Sequence, residues 1–303
     1  MNLARIILAA ACFHVSCGAA LAQEDLGIEY QGVVRHTLIH APSPARDGKL
    51  PLLIYLHGVR PANWKNHTQG EIDTLADRDG VLAAYPEAIG FRWNYADPLK
   101  EPQKAGDAIA DDVGFIDKLI RKLVDERSAD SSRIYVLGDS RGGLMTFTLM
   151  CRLADKIAAA GPLITGMTST QIAACNPKRA VPLMTVAGSS DFYQPYDGFL
   201  GKEERLLSVP ETIEFWRVRH GCSGQEMRLL PHRLSDDRTR IMLSEWTGCA
   251  VEGALKSYRV NGGGHQVPSF APGNPEWIKQ AGALNHDIET AEEFWAFAKK
   301  FKL

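Results

Sequence analysis

The sequence predicts an α/β fold with a mostly parallel central sheet and helices on both of its faces. Two observations carry this reading. Short apolar runs alternate with longer amphipathic stretches along the chain, the pattern of strands interleaved with crossover helices. Some of those runs are continuous, as from Leu50 to Leu56, which is how a strand buried on both faces reads.

The elements can be placed in order. Val33 to His40 is an early strand that stops before Pro42 and Pro44, and Leu50 to Leu56 is a strand running into His57-Gly58. Val81 to Tyr85, closed by Pro86, is another. Asp111 to Val124 is predicted helical, because Phe115, Leu119 and Leu123 recur every four residues with Val113, Ile116 and Ile120 alongside. Asp111 and Asp112 suit the positive end of its dipole. Arg133 to Leu137 is a short strand leading into Gly138, and Arg141 to Lys156 a helix. Val181 to Val186 is the next strand, Glu211 to His220 a helix, Leu255 to Val260 the final strand and Thr290 to Phe301 a closing helix. With no internal repeat and no Pro-, Ser- or Gly-rich linker, residues 23–303 are expected to form one domain.

Composition excludes some functions. Of 303 residues, 45% are hydrophobic and 23% charged, with a net charge of −2. No stripe of Lys or Arg is present to displace the counterions of a nucleic acid. At the N-terminus, Arg5, the apolar run Ile6 to Phe13 and the small residues Ala20-Leu21-Ala22 have the layout of a secretory signal peptide over residues 1–22. The mature chain then starts at Gln23 and is periplasmic or secreted. A membrane anchor needs about 20 continuous apolar residues, whereas His14, Ser16 and Gly18 interrupt this run. His14 also stands where a lipoprotein signal ahead of Cys17 requires an aliphatic residue. No later stretch is long enough to span a membrane.

Removal of the leader takes Cys12 and Cys17 and leaves Cys151, Cys175, Cys222 and Cys249. Four cysteines in an exported chain predict two disulfides. Of the three possible connectivities, Cys151–Cys175 with Cys222–Cys249 closes the shortest loops. There is no CxxC, and no cysteine lies at zinc-ligand spacing from a histidine, so the thiols are expected to be scaffold and not a metal site; no organic cofactor is expected either.

The chemistry centres on Gly138-Asp-Ser140-Arg-Gly142. A serine hydroxyl is a poor nucleophile unless it stands clear of the backbone beside a base, and a sharp strand-to-helix turn with flanking glycines puts it there. Ser140 is therefore the candidate nucleophile. The acid and base should follow in the order Asp, His. Asp191 lies just past the strand that starts at Val181, where open α/β sheets collect catalytic groups. It is preferred to Asp197, which sits between Pro195 and Gly198 in a turn. His265 follows three glycines directly after the last strand. Two backbone donors for a developing oxyanion are expected from Arg141 and from Val59, in the loop after an early strand. Trp64 and Trp93 are candidates for an aromatic wall, and His57, Arg60 and Gln266 for further substrate contacts.

The motifs together resemble the secreted polyhydroxybutyrate depolymerase and feruloyl esterase family. They are His57-Gly58, Ala76-Asp77, Tyr85-Pro86, Trp93-Asn94, Asp111-Asp112 with Phe115, Gly138-x-Ser140-x-Gly142-Gly143, Pro195-Tyr196-Asp197-Gly198 and Gly263-Gly264-His265. The resemblance covers nearly all of the mature chain. It implies an α/β-hydrolase fold and ester hydrolysis by a Ser140, Asp191, His265 triad. Cys151 and Cys175 stand where that family often has cysteines. The chain departs from the pattern at Arg141, where the family usually has Asn, at Ala187, and at Gln266-Val267-Pro268. The resemblance implies soluble feruloyl or acetyl esters of polysaccharides, or hydroxyalkanoate oligomers, as substrates. Two rival readings use the same fold: an acyltransferase with the same triad, and a carbohydrate-binding protein without chemistry.

Overall fold

The computed structural model describes residues 23–59, 67–95, 110–201, 204–234 and 237–303. The expected leader, Arg60 and Trp64 lie outside them. In chain order the elements are β1 (Gln23–Tyr30), β2 (Val33–His40), β3 (Leu50–Leu56), α1 (His67–Asp79), β4 (Leu82–Pro86), α2 (Asp112–Glu126), β5 (Ala129–Asp139), α3 (Arg141–Arg152) and β6 (Ala159–Leu163). They continue with α4 (Ser169–Ala174), β7 (Leu183–Gly188), the two-residue strands β8 (Phe199–Leu200) and β9 (Arg205–Leu206), α5 (Val209–His220), β10 (Gly224–Leu229), β11 (Arg240–Thr247), β12 (Leu255–Asn261), α6 (Pro275–Ala281) and α7 (Thr290–Ala298).

Among the described residues ten strands form one sheet in the order β1-β2-β4-β3-β5-β6-β7-β12-β11-β10. The run from β4 to β12 is parallel. The two strands at either edge pair antiparallel. Side chains alternate across β3, so Leu52, Ile54 and Leu56 face one core and Leu53 and Tyr55 the other. The first core takes Phe115, Leu119 and Leu123 of α2, Met145 and Leu149 of α3, and Trp216 of α5. The second takes Ile72 and Leu75 of α1 with Phe294 and Phe297 of α7. Helices thus cover both faces, as a mostly parallel sheet requires.

The apolar runs predicted the central strands to within a few residues, and Asp111 caps α2 by accepting from the Gly114 N–H. The helix after Ser140 ends at Arg152, earlier than the expected Lys156. Several elements carried no apolar signal. All but the first residue of β10 are exposed, so it has no core face to read. β6 is Ala-Ala-Gly-Pro-Leu, whose Gly and Pro read as a break although every residue is buried. α1 is polar apart from a narrow stripe around Ile72, Leu75 and Ala76. The pairs Cys151–Cys175 and Cys222–Cys249 are both joined, as the loop lengths predicted. Among the described residues, no helix is long and apolar enough to cross a membrane.

Candidate active site

Three loops at the carboxyl ends of β5, β7 and β12 bring the site together, the edge at which parallel sheets gather ligands. At the first, β5 turns directly into α3 through Ser140, whose backbone sits at φ 55° and ψ −116°. L-residues rarely adopt this conformation, and here it lifts the hydroxyl off the chain. The turn is tight enough that a β-carbon on Gly142 would stand 2.0 Å from the carbonyl oxygen of Leu56. The glycine is therefore a condition of β3 and α3 meeting.

The second loop follows β7. Asp191 is buried, and its Oδ1 accepts from the backbone N–H groups of Tyr193 (2.8 Å) and Gln194 (2.9 Å). Its Oδ2 is left to face His265 Nδ1 at 2.7 Å. The third loop, Gly262-Gly263-Gly264, delivers His265 from β12. The Gly264 N–H donates to Ala283 O (2.9 Å) and the His265 N–H to Ala281 O (2.6 Å), which docks the loop on the end of α6. His265 Nε2 lies 2.9 Å from Ser140 Oγ. A carboxylate only accepts, so the ring hydrogen is on Nδ1 and Nε2 is free to accept from the serine hydroxyl. Ser140, His265 and Asp191 form a continuous hydrogen-bonded chain. Asp197 is exposed, in a turn closed by the Gly198 N–H to Pro195 O at 2.8 Å.

The serine flank is tied together by buried polar groups. Asp139 accepts from the Tyr55 hydroxyl (2.6 Å) and the Gly58 N–H (3.0 Å), which pins the loop after β3 to the nucleophile turn. A β-carbon on Gly58 would come within 3.3 Å of Ser140 Cβ, and the adjoining Val59 is 54% exposed. Arg35 and Asp112 form a buried ion pair at 2.7 Å. Burial pushes the Asp112 carboxyl up against the pull of Arg35. Asp112 also accepts from the Asn94 N–H at 2.6 Å, fixing the segment in which Trp93 O accepts from Arg141 Nε at 3.0 Å. The Arg141 guanidinium lies 4.8 Å over the Tyr95 ring, and burial lowers its pKa.

Three expected substrate contacts are spent on the scaffold. Trp93 is 0% exposed and donates its indole N–H to His57 O at 2.9 Å, so it belongs to the core and forms no wall of a pocket. His57 accepts at Nε2 from the Ala88 N–H (3.2 Å), which puts its ring hydrogen on Nδ1, facing Gly58 O at 2.6 Å. Gln266 is buried and donates to Gly282 O at 2.6 Å, bracing the histidine loop. A side chain's residue type alone did not separate lining a site from supporting it.

The histidine flank carries groups the sequence did not single out. Ser269, four residues past His265, donates to Glu71 of α1 at 2.6 Å and lies 3.3 Å from Glu289. Burial and a hydrogen bond with Glu289 push the Glu71 carboxyl up to about 9. Beside His265 the Tyr193 ring sits at a centroid distance of 5.3 Å, with Phe192 at 4.3 Å and Trp277 at 6.0 Å from Tyr193. Among the described residues no group of three or more His, Cys, Asp or Glu side chains is arranged to hold a metal.

Comparison with known proteins fits this geometry. The chain is 27% identical over 245 residues to a feruloyl esterase B of Piromyces equi, covering 76% of this chain but only 42% of that protein. It is 26% identical over 284 residues to a feruloyl esterase B of Thermothelomyces thermophilus, covering 88% of this chain and 92% of that one. A thermostable esterase of known structure superposes with a TM-score of 0.59 at 15% identity, over 93% of this chain and 64% of the other. That likeness establishes the fold, an α/β hydrolase. The family model described as esterase PHB depolymerase matches residues 35–191, more than half of the sequence and including both Ser140 and Asp191. The chain belongs to the esterase PHB depolymerase family.

Proposed function

We propose that this protein hydrolyses carboxylic esters through an acyl-enzyme on Ser140. The observation that carries the reading is the chain of hydrogen bonds from Ser140 Oγ to His265 Nε2 at 2.9 Å and from His265 Nδ1 to Asp191 Oδ2 at 2.7 Å. His265 takes the hydroxyl proton as Ser140 attacks the ester carbonyl. Asp191 fixes the tautomer and stabilises the imidazolium that forms. The backbone N–H groups of Arg141 and Val59 receive the oxyanion. The imidazolium then protonates the departing alkoxide, and a water activated by His265 releases the acid.

The relatives' names support feruloyl esters as substrates, and an acyl group bound to a polysaccharide fits a protein that works outside the cell. Export is supported by the leader-like residues 1–22 and by the two disulfides. Residues 23–303 are proposed to act as a single catalytic domain. Ser140→Ala should lower turnover of methyl ferulate by about a millionfold and abolish labelling by a fluorophosphonate probe, with the circular dichroism spectrum unchanged. A folded variant that keeps a tenth of wild-type turnover would refute the assignment.

A further inference from the structure

The ring system beside His265 has no part in the relay. Phe192 is 59% and Tyr193 44% exposed, with their rings 4.3 Å apart. The Tyr193 N–H donates to Asp191, so its backbone is held by the carboxylate that faces His265. Trp277 lies in the first turn of α6, where its N–H is capped by Asn274 Oδ1 at 3.1 Å, and the far end of α6 accepts the His265 N–H. The Tyr193 and Trp277 rings are inclined by only 14°, with centroids 6.0 Å apart. Large aromatic faces normally bury themselves. Here three of them are grouped beside His265, on two segments that also hold the histidine.

Which part of an ester they meet follows from the chemistry of the relay. The imidazolium hands its proton to the leaving oxygen, so the alcohol portion of the substrate must lie on the His265 side. The acyl carbonyl instead points to the backbone donors on the Ser140 side. We propose that Tyr193, Trp277 and Phe192 form a shelf that selects the alcohol portion of the ester, and that this portion is a ring with a flat apolar face. The electron-rich face of an aromatic side chain attracts the C–H edge or face of such a ring. A pyranose and an aryl alcohol both offer it, whereas a methyl group does not. The proposal rests on the serine-hydrolase reading and deepens it.

The test uses the methyl, benzyl and pyranosyl esters of one acid, with the wild-type protein and the Trp277→Ala, Tyr193→Ala and Tyr193→Phe variants. The quantity read is the ratio of kcat/KM on a ring ester to kcat/KM on the methyl ester. Trp277→Ala and Tyr193→Ala should each lower that ratio by about tenfold, and Tyr193→Phe, which keeps the ring, should hold it within about twofold. Whichever ring ester falls further names the source of the ring. The deacylation rate, measured from pre-formed acyl-enzyme after the alcohol has left, should be the same in Trp277→Ala as in the wild type. A ratio unchanged in both alanine variants would overturn the shelf, as would a loss that follows the acyl group across esters of one alcohol. A wild-type chain that turns over none of the three esters would defeat the serine-hydrolase reading as well, so the two failures are distinguishable.

Discussion

The two flanks of the site are built differently. The serine flank is a product of the sheet. Ser140 sits on a turn set by the end of β5, and Asp139, Tyr55, Gly58, Asp112 and Arg35 tie it down through bonds within the interior. The histidine flank is made of loops. His265 hangs from three glycines and is braced by Gln266, by Ser269 on the Glu71–Glu289 pair and by the end of α6. The first flank is fixed by side-chain bonds buried inside the sheet, and the second by close backbone contacts of Gly188 and Gly264, braced by side chains that can be exchanged. Damage on the first side should therefore reach the fold, and changes on the second should reach pH response and selectivity.

The largest contrast lies within the relay itself. Asp191→Asn should lower turnover of a p-nitrophenyl ester at pH 7 by about ten-thousandfold, because an amide cannot stabilise the imidazolium. Asp197→Asn should keep activity within about tenfold, since its side chain lies in an exposed turn. The reverse ranking would move the acid to Asp197 and break the account of the histidine flank.

The serine flank is probed by Asp139. Asp139→Ala removes the buried carboxylate that accepts from the Tyr55 hydroxyl and the Gly58 N–H. That should destabilise the protein by about 2 kcal/mol in urea titration. Asp139→Asn keeps an oxygen that can accept from both donors, which now meet at Oδ1, and should lose less than half as much. Equal losses would show that charge, and not hydrogen bonding, holds the turn.

A smaller effect is expected from the carboxyl pair. Glu71 is raised from 4.5 to about 9, by burial first and by Glu289 second, with Glu292 adding to the negative field. The folded chain holds this proton more tightly than the unfolded one. The contribution of Glu71 to stability is therefore complete below about pH 4.5 and is lost as pH rises through about 9. Glu71→Gln, neutral throughout, should flatten the decline in denaturation midpoint between pH 5 and pH 9. A decline as steep as that of the wild type would remove Glu71 from the histidine flank's pH response.

How far the sequence could be read follows the same division. The G-x-S-x-G turn and the Gly-Gly-Gly-His loop were legible because glycine spacing reports backbone conformation directly, and strands buried on both faces show as unbroken apolar runs. The place of Trp93 in the core is not legible in the sequence, because an indole suits a pocket wall and a core equally well and only the partner of its N–H decides. The pairing of Tyr193 with Trp277 is not legible because they are 84 positions apart in a sequence that gives no sign that α6 docks on the loop after β7. The exposed strand β10 and the Gly- and Pro-bearing β6 lack the patterns by which strands are recognised.

The backbone of Ser140 has one consequence beyond its reactivity. A residue with a β-carbon at φ 55° and ψ −116° carries conformational strain that glycine does not. Ser140→Ala removes the hydroxyl and keeps that strain, whereas Ser140→Gly removes both. The glycine variant should therefore be more stable than the alanine one, by on the order of 1 kcal/mol in denaturant titration. On the proposed mechanism an inert and sturdier sibling of this protein is thus one substitution away, and selection for durability alone would drift toward it. Only continued demand for turnover keeps a serine at the most strained point of the turn.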